Sequence, residues 1–119
     1  MAQGLRAGEE RFAGAGGLNI FFRWWRPEEP RAVVVVVHGF NSHSGYYRWV
    51  AEQFAASGVA VYALDLRGRG HSDGERFYVD RFSDWVGDVA TIHSMGYEDL
   101  YEGSNATFTP RCRPRWACP

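Results

Sequence analysis

Two continuous apolar runs dominate the polarity pattern, Ala32-Val33-Val34-Val35-Val36-Val37 and Val59-Ala60-Val61-Tyr62-Ala63-Leu64. Neither alternates with polar residues, so both predict strands covered on both faces, as in the parallel sheet of an α/β protein. Each is too short to cross a membrane. Between them, the turn-rich stretch Asn41-Ser42-His43-Ser44-Gly45 leads into Tyr47, Val50, Ala51 and Phe54, whose i, i+3, i+4, i+7 spacing predicts an amphipathic helix. Ser57-Gly58 ends it, with the glycine able to take a left-handed cap. Strand, helix and strand of these lengths predict a right-handed parallel βαβ unit.

Upstream, Arg11 to Ala15 is short and partly apolar, Gly16-Gly17 offers a turn needing positive φ, and Leu18 to Trp25 alternates. That reads as a β-hairpin. Leu18, Ile20, Phe22 and Trp24 would face one side, with Asn19, Phe21, Arg23 and Trp25 on a second side that is only partly polar and open to being covered as well. Pro27 and Pro30 end the strand, because proline lacks the N–H a ladder needs. Downstream, Asp65 to Gly74 is a glycine-rich loop, and Phe82, Trp85, Val86, Val89 and Ile92 predict a second amphipathic helix with Asp80 as its N-cap. From about Ser94 no period is sustained through Met95-Gly96-Tyr97-Glu98-Asp99-Leu100, and three of the five prolines fall in the last ten residues. The expected division is an N-terminal extension over 1–10, a partial α/β domain over 11–93 and an irregular, disordered tail over 94–119.

Composition sharpens this little. At 119 residues, 45% hydrophobic and 16% aromatic, the chain is apolar enough to build one core. A formal net charge of −1 gives no general attraction to nucleic acid or an anionic membrane, although all 13 basic residues are arginine. The first residues carry Arg6, Glu9, Glu10 and Arg11 with no apolar leader, so neither a secretory signal nor a transmembrane segment is expected, and a cytoplasmic location is the default. Cys112 and Cys118 lack a second Cys or His pair at zinc spacing and are expected to be unpaired thiols. Asn105-Ala106-Thr107 matches a glycosylation sequon by pattern alone, and Arg111, Arg113 and Arg115 form a short basic stretch without an aromatic stacking platform.

In open α/β sheets, ligands bind beyond the carboxyl ends of the strands, which makes His38-Gly39-Phe40 the first candidate site segment, with Asp65 to Gly74 on the same edge. Val37-His38-Gly39-Phe40, His43-Ser44-Gly45-Tyr46-Tyr47, Gly58, the run Asp65-Leu66-Arg67-Gly68-Arg69-Gly70-His71-Ser72-Asp73-Gly74-Glu75-Arg76, then Val79, Phe82 and Val86-Gly87-Asp88-Val89 follow one another at characteristic separations. Together they resemble the N-terminal half of the monoacylglycerol lipase-like α/β-hydrolases, the group often filed with serine aminopeptidases. The resemblance spans roughly residues 11 to 92. It implies an α/β-hydrolase sheet whose first two strands are the hairpin, with the valine strand third and the strand from Val59 to Leu64 fourth.

The resemblance also implies roles. An acyl-transfer enzyme must stabilise negative charge growing on the substrate carbonyl oxygen, and the backbone N–H that does so after the third strand maps to Phe40. His38 and Gly39 complete that loop, with His38 a structural member of it, since in the family the catalytic base comes late in the chain.

Two serines imitate a nucleophile. Gly70-His71-Ser72-Asp73-Gly74 matches G-x-S-x-G literally, yet an elbow needs serine immediately after a buried strand and immediately before a helix. Ser72 is therefore expected to shape the loop. Ile92-His93-Ser94-Met95-Gly96 is similar to the family's elbow text, but isoleucine stands where a crowding-relieving glycine belongs and an amphipathic helix stands where a strand belongs. Ser94 is the better imitation and still lacks its context. Asp65, Asp73, Asp80, Asp84 and Asp88 read as loop, cap and solvated-face residues. His93 is the last histidine, so no triad in family order can be assembled from this sequence.

The expectation is thus a truncated serine ester hydrolase, inactive as given. In complete form it would cleave acyl ester or lipid-like substrates through an acyl-enzyme, without metal or organic cofactor. The alternatives are a non-catalytic module self-associating through an open edge of the sheet, and a minimal esterase using Ser94 or Ser72.

Overall fold

In the computed structural model, residues 5–103 are described, with side chains through residue 98. Strands β1 (Arg6–Ala13), β2 (Asn19–Arg26), β3 (Ala32–Val37) and β4 (Val59–Leu64) form one mixed sheet, and helices α1 (Arg48–Ala56) and α2 (Phe82–Gly103) cover its faces. The spatial order is β1-β2-β4-β3, with β1, β2 and β4 antiparallel and β3 parallel to β4. This is the α/β arrangement that the two apolar runs predict.

The two faces of the sheet follow directly from the side-chain alternation of extended backbone. Ile20, Phe22, Ala60, Tyr62 and Leu64 pack under α2 through Ile92, Trp85, Val89 and Met95. Trp25, Val61 and Ala63 pack under α1 through Ala51 and Ala55. Both faces of β2 are therefore covered, in the phase its alternation predicts. The hairpin turns at Ala15–Gly17, where Gly16 and Gly17 take φ of 73° and 81°. Gly58 closes α1 with φ 93°, its N–H donating to the Ala55 carbonyl at 3.1 Å.

Several boundaries differ from expectation. The segment 1–10 is not wholly an extension, since β1 begins at Arg6 and pairs residue for residue with β2, Arg6 opposite Arg26. Its polar sequence hid it: only Gly8 and Phe12 of the strand escape full exposure, because β1 is an edge strand with one covered face. The valine strand is not buried on both faces. It lies at the opposite edge, half-buried throughout with Val37 exposed, and the wholly buried strand is β4.

Helix α1 turns a smaller stripe inward than Tyr47, Val50, Ala51 and Phe54. Ala51 and Ala55 are buried while Trp49 and Phe54 are exposed, because two alanines four residues apart let the helix sit close on Trp25, Val61 and Ala63. Helix α2 does not fade at Ser94 but runs to Gly103. Gly96, in the stretch where no period is sustained, is buried against the sheet, where a Cβ would meet a Val33 methyl at 2.9 Å and the Tyr62 ring at 3.4 Å. The apolar stripe continues as Trp85, Val89, Ile92 and Gly96, with the glycine allowing close approach. Asp80 is not the cap: Arg81 directly precedes the helix, and the Asp80 carboxylate accepts from the Tyr78 hydroxyl at 3.1 Å. Cys112, Cys118, the sequon at Asn105, the arginines at 111, 113 and 115, and the rest of 104–119 lie outside the described residues.

Candidate functional site

The carboxyl ends of β3 and β4 bring His38-Gly39-Phe40 and the loop from Asp65 to Gly74 together, as the parallel pairing of Val37 with Leu64 requires. The contact between them is specific. His38 is buried, its Nε2 lies 2.9 Å from the Leu66 N–H, and its Nδ1 lies 2.8 Å from the Gly39 carbonyl oxygen. An amide N–H can only donate, so Nε2 accepts and the neutral imidazole carries its proton on Nδ1, which donates to Gly39.

That bond orients one peptide unit. The Gly39 carbonyl and the Phe40 N–H belong to the same trans amide and point in opposite directions. With the oxygen held on His38, the Phe40 N–H is turned away from the imidazole. Among the described residues, no backbone carbonyl accepts from it. The Phe40 side chain is exposed and lies over the Arg69 guanidinium, 4.7 Å from ring centroid to charge.

The β4 loop is saturated with internal bonds. Fully buried Asp65 accepts from the Ser44 N–H at 2.6 Å and the His71 N–H at 2.9 Å. Gly70 takes φ 50° beside it, and a Cβ there would fall 2.2 Å from an Asp65 carboxylate oxygen, so no larger residue fits. Ser72 is buried in turn: its Oγ accepts from the Phe21 N–H at 2.8 Å and donates to the Asp65 carbonyl, tying the loop to β2. Ser72 thus sits within the loop, not on a strand-to-helix turn.

Arg67 anchors the loop to α2. Its Nε and one terminal nitrogen donate to the two carboxylate oxygens of Asp88 at 2.8 and 2.9 Å, and that second nitrogen also reaches the Ala15 carbonyl at 3.1 Å. The Asp88 hydrogen bonds raise the Arg67 guanidinium above its ordinary pKa against the opposing effect of burial. Asp88 is fully buried, which corrects its reading as a solvated-face residue. A signal was present: Asp88 stands between Trp85 and Ile92 on the inward stripe of the helix, where an acid requires a partner.

Ser94 lies within α2, its Oγ donating to the Ala90 carbonyl one turn back at 3.1 Å. His93 is exposed on the same helix, on the rim of an almost wholly apolar groove of about 400 Å³ lined by Val37, Leu66, Phe82, Val86 and Val89. Among the described residues, the two serines bond to Phe21, Asp65 and Ala90 and not to His38 or Phe40, and Arg69 is the residue of this region that sequence reasoning passed over. Its one signal was a long side chain inside an otherwise glycine-rich loop.

This arrangement can be set beside known proteins. Residues 28–104 match the family model described as serine aminopeptidase, S33. The chain belongs to that family. The monoacylglycerol lipase of Mycolicibacterium smegmatis is 44% identical over 92 residues, which make up 76% of this chain and 33% of the relative. The human monoglyceride lipase is 40% identical over 76 residues, 63% of this chain and 25% of the relative. The chain thus spans about a quarter to a third of these two relatives. Vaccinia virus protein K6 is itself short: 60 matched residues, 38% identical, cover half of this chain and 74% of that protein. Acetyl xylan esterase 1 of Thermoanaerobacterium superposes with a TM-score of 0.61 at 19% identity, over 85% of this chain and 37% of that one, which shows a shared fold. The S33 chain described here is accordingly an N-terminal portion of the α/β-hydrolase arrangement, and among its described residues no helix is long and apolar enough to cross a membrane.

Proposed function

We propose that this S33 chain carries the oxyanion half of a serine ester hydrolase site, with monoacylglycerols or similar acyl esters as substrates of the complete site. The observation that carries the reading is the Gly39–Phe40 amide: His38 holds its carbonyl and turns the Phe40 N–H outward at the carboxyl edge of the sheet. A fixed, outward amide N–H is the donor an acyl-transfer site needs, because it is already oriented when charge develops on the carbonyl oxygen. The similarity to the M. smegmatis monoacylglycerol lipase and the human monoglyceride lipase favours a monoacylglycerol over other esters. The nucleophile would attack that carbonyl, the acyl-enzyme would form, and water would release the acid, a sequence needing neither metal nor organic cofactor.

Ser72 and Ser94 supply no nucleophile in this reading. One is locked into two backbone bonds and the other faces back along its own helix. The 119-residue chain is expected to hydrolyse no ester by itself and to resist a serine-directed fluorophosphonate; a mapped adduct on Ser72 or Ser94 would overturn this. The oxyanion role is tested in a chimera in which the 92-residue matched segment replaces its counterpart in the M. smegmatis lipase. Phe40→Pro deletes the N–H and should lower kcat by about 10²- to 10³-fold. Phe40→Ala keeps the N–H and should retain most activity. Equal loss in both would show that the ring, not the amide, matters.

A second reading rests on β3, which is hydrogen-bonded only to β4 among the described strands and ends in exposed Val37. An apolar edge of this kind pairs with other chains, so self-association through it accompanies the first reading. Sedimentation velocity over a concentration series tests it, and a purely monomeric chain at every concentration would dismiss it.

A further inference from the structure

Arg69 is only 4% exposed, and among the described residues no carboxylate forms an ion pair with it. A buried cation without an acid is costly unless other groups replace its water. Here the replacements are directional. Its Nε donates to the Phe40 carbonyl at 2.6 Å, a terminal nitrogen donates to the Gly68 carbonyl at 3.3 Å, and the guanidinium lies 4.7 Å from the Phe40 ring centroid and 4.5 Å from that of Phe77. Phe77 reaches this position with φ 62°, the one described non-glycine residue in the left-handed region. Backbone strain at a bulky residue persists where surrounding contacts impose it and points to a site under constraint.

We propose that Arg69 is a positioning residue for the Phe40 amide, an inference that rests on the oxyanion reading of that amide. His38 grips the peptide unit before Phe40 through the Gly39 carbonyl, and Arg69 grips the unit after it through the Phe40 carbonyl. Holding both flanking units leaves Phe40 no free backbone rotation, so its N–H keeps one direction. Phe77, at the cost of its own backbone, presses the guanidinium against this loop. Because no acid neutralises Arg69, the positive potential remains at the loop where negative charge would grow. Neither lysine nor a neutral residue reproduces the set: the Phe40 and Phe77 rings lie 6.0 Å apart, and lysine's compact ammonium has no planar fork to rest against both while donating to the two carbonyls.

The test uses the full 119-residue chain and nuclear magnetic relaxation of its backbone amides. In Arg69→Ala, the order parameters of Phe40 and Asn41 should fall from about 0.85 to below about 0.6, with the Ile20 and Leu64 amides unchanged. Arg69→Lys should fall between the two. If Arg69→Ala does not fold, Arg69→Lys decides: loosening at Phe40 with an intact core supports the clamp, whereas an unchanged Phe40, or global unfolding of this variant too, overturns it. In the lipase chimera, Arg69→Ala should lower kcat about tenfold or more while KM moves less than about twofold, as expected for a misplaced transition-state donor. Unchanged kcat would overturn the positioning role. A chimera inactive even with Arg69 present would instead defeat the oxyanion reading, and the relaxation measurement would still judge the clamp.

Discussion

Strands β3 and β4 lie side by side in parallel register, Ala32 opposite Val59 and Val37 opposite Leu64, and both are unbroken apolar runs. Every residue of β4 is buried, whereas β3 is half-buried and ends with Val37 at 45% exposure. The difference lies in their neighbours: β4 has β2 on one side and β3 on the other, and β3 has β4 alone among the described strands. An apolar run therefore records how many faces and neighbours a strand is suited to, not how many it has. The loops beyond the two strands differ in the same sense. Past β4, the polar side chains of Asp65, Arg67 and Ser72 are buried and bonded, while β3 opens onto an apolar groove and the exposed ring of Phe40.

Substitutions can push on this contrast. The largest effect is expected from Asp88→Ala on the β4 side, which leaves buried Arg67 with only the more distant Asp84 carboxylate at 3.8 Å and should cost about 3 kcal/mol in urea unfolding. Because the Asp88 bonds raise the Arg67 pKa, the stability linked to that proton is fully present below its unfolded pKa and is lost only as pH rises through the higher folded one. Changing the pH between about 6 and 9 should therefore leave the Arg67 contribution intact. Val61→Ala on β4, at a position with no exposed surface, should cost about 2–3 kcal/mol, and if Val37→Ala on β3 cost as much, the contrast between the strands would collapse. Ser72→Ala leaves the Phe21 N–H and the Asp65 carbonyl without their shared partner and should cost about 1–2 kcal/mol, read from the unfolding midpoint. Smallest in stability is Val37→Lys, within about 0.5 kcal/mol, yet it should suppress any association seen by sedimentation, because a charge on an open edge opposes pairing.

Period and turn chemistry made much of this fold readable in advance. The hairpin turn at Gly16-Gly17, the two faces of β2, the βαβ unit and the Gly58 cap each rest on local patterns that a short window contains. The first part of β1, Arg6 to Glu10, is not legible because an exposed edge strand has little reason to be apolar, and its Gly8 is shaped by the Trp24 indole across the ladder, 2.6 Å from where a Cβ would sit. The last turns of α2 are not legible because no apolar period is sustained past Ser94, where Gly96 takes the inward position and contacts Val33 and Tyr62. The site was half legible. The His38-Gly39-Phe40 text and its partner loop could be located, but Asp88 and Arg69 could not be assigned, since charged residues default to solvent until a partner 21 or 29 residues away is known.

The Arg67–Asp88 pair has a dynamic consequence. One guanidinium joins the hairpin turn at Ala15, the loop after β4 and the middle of α2, three segments remote in sequence. Parting the loop from the helix would separate a buried ion pair, and releasing the turn would strip a carbonyl from the same guanidinium, so partial opening gains little over opening all three. Native-state amide exchange should then find the turn, the loop and this stretch of helix released together as one cooperative unit, with the β3 edge free to open earlier on its own.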